Sequence, residues 1–171
     1  MGSPKKDRVL GVDTSLRSSG VAVVEAVGSS ITAIEYGLIK TAAKHPVSEC
    51  LGRLHEGITD IIKRLKPGSA AIEGGFYCKN VRTALVLGEA RGAVIAACAA
   101  LDVPVFEYSP RRVKQALVGY GAADKRQVRG MVMKILNLTA EPQEDEGDAL
   151  AIAVCHLHNV SRYQALAPHE L

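Results

Sequence analysis

The chain has 171 residues, of which 47% are apolar, 23% charged and 4% aromatic, with no tryptophan. That is about one domain's length with enough apolar surface for a sizeable core, and it argues against an aromatic carbohydrate cleft. Lys and Arg exceed Asp and Glu by 21 − 18 = 3, a mild basic excess that neither requires nor excludes a polyanionic partner.

No apolar run approaches the roughly 18 residues of a membrane span, and the N-terminal Met-Gly-Ser-Pro-Lys-Lys-Asp has no apolar signal core. No membrane partner is expected. Cys50, Cys78, Cys98 and Cys155 show neither zinc nor redox-dithiol spacing. Reduced, buried thiols are expected for Cys98 and Cys155, in a cytoplasmic protein.

In chain order, Arg8–Asp13 is a short apolar run ending in a carboxylate, followed by a turn-rich stretch, Thr14–Gly20. Val21–Glu25 and Ile31–Lys40 read as strands of a hairpin turning at Gly28-Ser29-Ser30. Val47, Leu51, Leu54, Ile58, Ile61, Ile62 and Leu65 recur at helical spacing, between Pro46 and Pro67-Gly68. Ala70–Glu73 is a second short buried strand ending in an acid, and Asn80–Leu101 a long helix rich in Ala and Gly. Val103–Tyr108 is a fifth strand, and Ser109-Pro110 a cap followed by a first-turn proline. Asp124 and Gln127 form a capping-box pattern for a helix to about Asn137, and a last helix runs from about Asp145 to Val160.

The predicted order is β-β-β-α-β-α-β-α-α, with right-handed parallel crossovers. With the hairpin on one side of the first strand and the later strands on the other, the strand order reverses between strands one and four. A crevice opens there at the carboxyl ends. Asp13 and Glu73 end those strands, and neighbouring strands lie about 4.8 Å apart, so the two acids can converge. Asp145 and Asp148, spaced i, i+3, share one face of the last helix. Taken alone, either is what a helix start carries as a cap or dipole partner, and Asp13 fits a turn. Glu73 follows Ala-Ala-Ile, a run too apolar for an unpaired charge. Four converging carboxylates would need divalent cations, and hard oxygen donors suit Mg²⁺ or Mn²⁺ in a two-ion site for phosphoryl displacement.

Val9-Leu10-Gly11-Val12-Asp13, Ala71-Ile72-Glu73 and Asp145-Glu146-Gly147-Asp148-Ala149-Leu150-Ala151-Ile152-Ala153 resemble the carboxylate motifs of the RuvC-type Holliday-junction resolvases. Phe76-Tyr77-Cys78-Lys79-Asn80, Leu87-Gly88-Glu89-Ala90-Arg91-Gly92, Pro104–Tyr108 with Val113-Lys114-Gln115, and Val118-Gly119-Tyr120-Gly121 with Asp124-Lys125 match between them. The resemblance spans about Arg8 to Asn159. It implies a ribonuclease-H-like α/β fold with a five-stranded mixed sheet flanked by helices, here a single nuclease domain over 1–171 with its core at about 8–160. It implies a homodimer that makes paired, symmetric, Mg²⁺-dependent nicks in four-way DNA junctions during recombination and repair, leaving 5′-phosphates. Asp13, Glu73, Asp145 and Asp148 would be catalytic and would hold two Mg²⁺ ions per site, with Mn²⁺ able to substitute. The expected partners are junction DNA, a second copy and the branch-migration helicase complex, at the nucleoid. Two departures stand out: Thr14-Ser15 replaces the family's usual Pro-Gly, and Gly74-Gly75 a bulkier pair, which suggests a looser connection to Phe76.

From Tyr108 to Lys134, seven cations face Asp124 alone, so 7 − 1 = +6, and the rest of the chain is net acidic at 3 − 6 = −3. Such a run is commonly a solvated face. Here Lys125 and Arg126 sit at a predicted helix start, where free amides favour phosphate, and Arg111 and Lys114 precede them. By resemblance, Lys114 and Lys125 face the scissile phosphate. Phe76, in a loop without helical or strand period, either packs in the core or stacks on an unpaired base, flanked by Lys79, Asn80 and Arg82 as DNA contacts. His156 and His158 point in different directions on a helix and read as structural. Two other readings compete. Gly11-Val12-Asp13-Thr14-Ser15 before a hairpin also opens a sugar-kinase/actin-type ATPase lobe, but one lobe is too short to enclose ATP and Asp145-x-x-Asp148 goes unexplained. A non-catalytic junction-binding module would leave four acids idle.

Overall fold

The computed structural model describes residues 6–74, 80–162 and 170–171. Its strands are β1 (Lys6–Asp13), β2 (Ser18–Val27), β3 (Ser30–Lys40), β4 (Ser69–Glu73) and β5 (Val105–Tyr108); its helices are α1 (Val47–Leu65), α2 (Val81–Ala99), α3 (Pro110–Val118), α4 (Lys125–Leu136) and α5 (Glu144–Arg162). The sheet order is β3-β2-β1-β4-β5, antiparallel on the hairpin side and parallel from β1 to β4 to β5. The reversal beside β1 is as the sequence predicts, and so is the element order as far as β5; three helices then follow, one more than the predicted order has.

Helices cover both faces, so β1 and β4 read as continuous apolar runs rather than alternating ones. Alternation along β1 still divides the contacts. Leu10 and Val12 join Leu54, Ile58, Ile72 and Val94 under α1 and α2. Val9 joins Ala71, Val132, Leu150 and Val154 under α3, α4 and α5. Leu10, Leu54, Ile58, Ile72, Leu150 and Ile152 are fully buried, each stabilising the fold by about 1.5–3 kcal/mol.

Local chemistry fixes the helix ends. Ser109 accepts the Arg112 amide ahead of Pro110, Asp124 and Gln127 complete the expected capping box, and Lys66 and Asn137 take left-handed conformations as C-caps. The largest boundary departure is at the start of β2. Ser18–Gly20, predicted as turn, is strand, because Gly20 pairs with Asp13 and Leu38 on its two sides.

Glycines set how closely α5 approaches the sheet. A Cβ on Gly11 would stand 2.1 Å from the Ala149 carbonyl oxygen, and one on Gly20 would stand 1.9 Å from that of Asp145. Only a residue without a side chain fits there. The first turns of α5 therefore lie directly on β1 and β2, which brings helix acids beside strand acids.

Candidate active site

Asp13 ends β1, Glu73 ends the adjacent β4, and Asp145 and Asp148 stand in the first turns of α5. The four groups interact. Burial first, and then the charges of Asp148, Glu73 and Asp145, push the Asp13 carboxyl up to about 7, with Lys125 opposing. Burial and Asp148 raise Glu73, which Lys125 and Lys114 pull back. Asp148 is raised chiefly by burial, against the attraction of Lys125.

Two acids have defined partners. Ser18 donates its hydroxyl to Asp145 Oδ2 at 2.8 Å, and the amide of Gln143 is capped by Glu146 at 2.8 Å. Glu146, not Asp145, therefore supplies the cap, which frees Asp145 for the site. Lys125 Nζ, on a well-exposed side chain, pairs with Glu144 and stands 3.7 Å from Asp148 Oδ2. A cleft of about 240 Å³ runs between Glu73 and Asp148, with Lys114 and Lys125 on its wall above Val113 and Val128. A wider groove of about 660 Å³ opens beside the starts of β1 and β4, near Arg8, Ser69 and His156. It contains none of the four acids, whereas Glu73 and Asp148 line the smaller cleft.

Hard carboxylate oxygens, an excess of negative charge and an aspartate held back from ionising are what a divalent cation relieves, so the donor set fits one. Among the described residues no three candidate ligands already stand around one point. Next to Asp13, Thr14 is buried with its hydroxyl lacking a hydrogen-bond partner.

The other predicted site residues fall around this centre. Arg111 on α3 is exposed and its stem lies against Gly121; Lys114 is half-buried and Arg126 exposed. Asn80 is the N-cap of α2 and accepts the Arg82 amide at 2.9 Å, and Arg82 is exposed. Phe76 and Lys79 lie outside the described residues. At the start of α4 the capping box occupies the amides of Asp124 and Gln127 and does not use those of Lys125 and Arg126. The Gly74 amide donates to the Tyr108 carbonyl at 2.9 Å, and the rest of the expected looser connection, Gly75 to Phe76, lies outside the described residues. His156 is structural, as expected, between Ser69 Oγ at 3.0 Å and the Tyr108 hydroxyl at 2.8 Å. Sequence reasoning missed Ser18 and the two packing glycines; the only signal for them was small residues opposite a helix start.

Acids at the ends of neighbouring parallel strands, faced by acids on a packed helix and flanked by lysines, sit here on a ribonuclease-H-like α/β fold. A family model described as crossover junction endodeoxyribonuclease RuvC matches residues 9–156, which include all four acids. The crossover junction endodeoxyribonuclease RuvC of Acinetobacter baylyi is 47% identical over 150 residues, 88% of this chain and 82% of that protein. That of Idiomarina loihiensis is 45% identical over 155 residues, 88% of this chain and 87% of its own. Thermus thermophilus RuvC, solved in complex with a Holliday junction substrate, superimposes with a TM-score of 0.89 at 34% identity, covering 96% of this chain and 99% of that one. The chain belongs to the RuvC family of crossover junction endodeoxyribonucleases.

Proposed function

We propose that this chain resolves four-way DNA junctions as a homodimeric endonuclease, with Asp13, Glu73, Asp145 and Asp148 holding two Mg²⁺ ions at each site. The observation that carries this reading is the raised Asp13 carboxyl, crowded by three acids beside a lysine-walled cleft, in a chain of the RuvC family. When bound, the ions supply Lewis acidity at the scissile phosphate and offset charge on the attacking and departing oxygens.

The chain's own groups do the rest. Asp13, shared between the strand acid Glu73 and the helix acid Asp148, orients both ligand pairs. Lys114 and Lys125 hold the non-bridging phosphate oxygens and oppose the charge that develops there. Ser18 keeps Asp145 turned into the site. Arg111, Arg126 and Arg82 contact flanking phosphates, which gives affinity without sequence preference. Asn80 has its oxygen committed to the α2 cap, so its amide nitrogen is what remains for DNA. Phe76 stacks on a base at the opened crossover, and Lys79 is a further DNA contact.

The homodimer is supported by α2. Val81 and Leu85 are 75% and 63% exposed, and Gly88, Gly92 and Ala96 follow as exposed small residues at i, i+4 spacing. That face suits close packing against its own copy across a two-fold axis. Two sites so related nick opposing strands symmetrically, and the branch-migration helicase complex is the expected partner in the cytoplasm.

Incubation with a synthetic four-way junction tests the reading. Paired nicks bearing 5′-phosphates and sealable by ligase are expected with Mg²⁺ or Mn²⁺, none with chelator, and no binding of ATP. Cleavage that ignores chelator, or ATP binding without cleavage, overturns it.

A further inference from the structure

On the face of the sheet away from the acids, Arg91 reaches from α2 to the end of β4. Its Nη1 donates to the Glu73 carbonyl at 3.0 Å, and its Nη2 pairs with Glu107 Oε2. Glu107 lies on β5 opposite Ile72, one step before the Glu73–Tyr108 pair. The carboxylate of Glu107 covers Gly74: a Cβ there would stand 1.9 Å from Glu107 Oε1 and 2.1 Å from its carboxyl carbon.

Strand alternation explains the geometry. Ile72 points into the core under α1 and α2, so Glu73 points the other way, toward Asp13 and α5. Its carbonyl and the bare face of Gly74 are then gripped from behind. The Arg91 and Glu107 side chains are only 18% and 31% exposed. A planar fork bridging a carbonyl and a carboxylate is a geometry that lysine cannot reproduce.

We propose that Arg91 and Glu107 are positioning residues for Glu73: they clamp the main chain at Glu73–Gly74 and thereby set where its carboxylate meets the shared cation. The inference rests on the metal-holding reading of the acids above. Gly74 is glycine because the Glu107 carboxylate occupies the space a side chain would need.

The test compares wild type with Arg91→Lys, which keeps the charge, and Glu107→Gln, which keeps the shape. Mn²⁺ binding is followed by calorimetry on the DNA-free protein, junction affinity with Ca²⁺, and single-turnover cleavage against Mg²⁺ concentration. Groups that orient a metal ligand typically change metal affinity 10–100-fold. Each variant should therefore bind Mn²⁺ about tenfold more weakly and need about tenfold more Mg²⁺ for half-maximal cleavage. The double variant should be no worse than the worse single one, because one clamp is lost either way. Junction affinity should stay within about twofold, and so should cleavage at saturating Mg²⁺. Unchanged Mn²⁺ affinity beside a lowered melting temperature would make the pair merely structural, and junction affinity falling in step with rate would make Arg91 a DNA contact. Either overturns the inference alone. A wild type that binds no Mn²⁺ overturns the metal reading as well.

Discussion

The first turns of α5 and its later turns both press titratable groups against the sheet, and the two stretches treat them in opposite ways. Asp148 meets Asp13 and Glu73, and all three carboxyls are raised, first by burial and then by neighbouring acids: Asp148, Glu73 and Asp145 around Asp13, Asp148 beside Glu73, and Glu144 and Asp145 beside Asp148. Two turns on, His156 has both ring nitrogens satisfied, by Ser69 and Tyr108, and packs against the Phe106 ring at a centroid distance of 4.7 Å. Burial holds its pKa near 4, so it is neutral. A polar group buried with its partners in place stabilises a fold. Like charges buried together do not, and they persist where something outside the chain compensates them. The difference separates the acid-crowded start of α5 from its anchoring end.

That contrast can be broken or sharpened by substitution. The largest effect is expected at the helix contact itself. Gly20→Ala drives a methyl into the Asp145 carbonyl, so the α5 start must shift and carry Asp145 and Asp148 with it. A misplacement of about 1 Å costs on the order of a hundredfold in rate, and overpacking costs about 1–3 kcal/mol of stability. Cleavage kinetics and denaturant unfolding of the same preparation would show rate falling further than stability explains.

His156→Ala should do the reverse. It leaves the Tyr108 hydroxyl and Ser69 without their partner and opens a cavity, for about 2–4 kcal/mol of lost stability. Cleavage per folded molecule should be unchanged at low temperature. A lost rate at full stability would mean that the anchoring end takes part in catalysis.

Lys125→Ala should slow single-turnover cleavage about tenfold to a hundredfold while weakening junction binding less. Arg129, tied to Glu141 at 2.8 Å, should at most flatten the salt dependence of binding when replaced by Ala. Equal losses of rate and affinity at both positions would reduce the basic segment to a general DNA face.

The smallest effect is in the pH dependence of stability, where the two stretches carry opposite signs. His156 titrates near 4 in the folded protein against an ordinary 6.5, so its contribution is intact above about 6.5 and is lost as pH falls toward 4. Asp13 titrates near 7 against 3.8, so its cost is absent below about 3.8, develops as pH rises and is complete above about 7. Asp13→Asn should therefore raise the melting temperature of the metal-free protein above pH 7 by about 3–6 °C. That gain should shrink to nothing near pH 4. Mg²⁺ should stabilise wild type and leave the variant unmoved. A variant that melts earlier at pH 8 would mean that Asp13 is a structural acid.

Where one segment's own periodicity or capping decides its structure, the sequence is enough. The Val47–Leu65 pattern is α1 to the residue, and Asp124 with Gln127 caps α4 as spaced. The i, i+3 spacing of Asp145 and Asp148 and the strand-ending Asp13 and Glu73 were legible for the same reason. What escaped depends on residues far apart in the chain. Ser18–Gly20 has poor strand propensity and becomes strand because β3 pairs with all three residues and β1 reaches Gly20 from the other side. The Ser18–Asp145 bond joins residues 127 apart, and nothing near Gly74 announces that the Glu107 carboxylate will lie over it. The chemistry of this site was visible in its acids, whereas the parts that aim them were not.

The central claim is that the crowded acids exist to hold metal for cleavage and add nothing to DNA affinity. Single-turnover cleavage of a synthetic four-way junction by Asp13→Asn, with binding of the same junction measured in Ca²⁺, tests it most directly. The account predicts a loss of at least about a thousandfold in rate, some 4 kcal/mol of barrier, with affinity unchanged or improved because a negative charge has been removed. Cleavage within about tenfold of wild type, a difference of about 1.4 kcal/mol, or an affinity that falls with the rate, would contradict it.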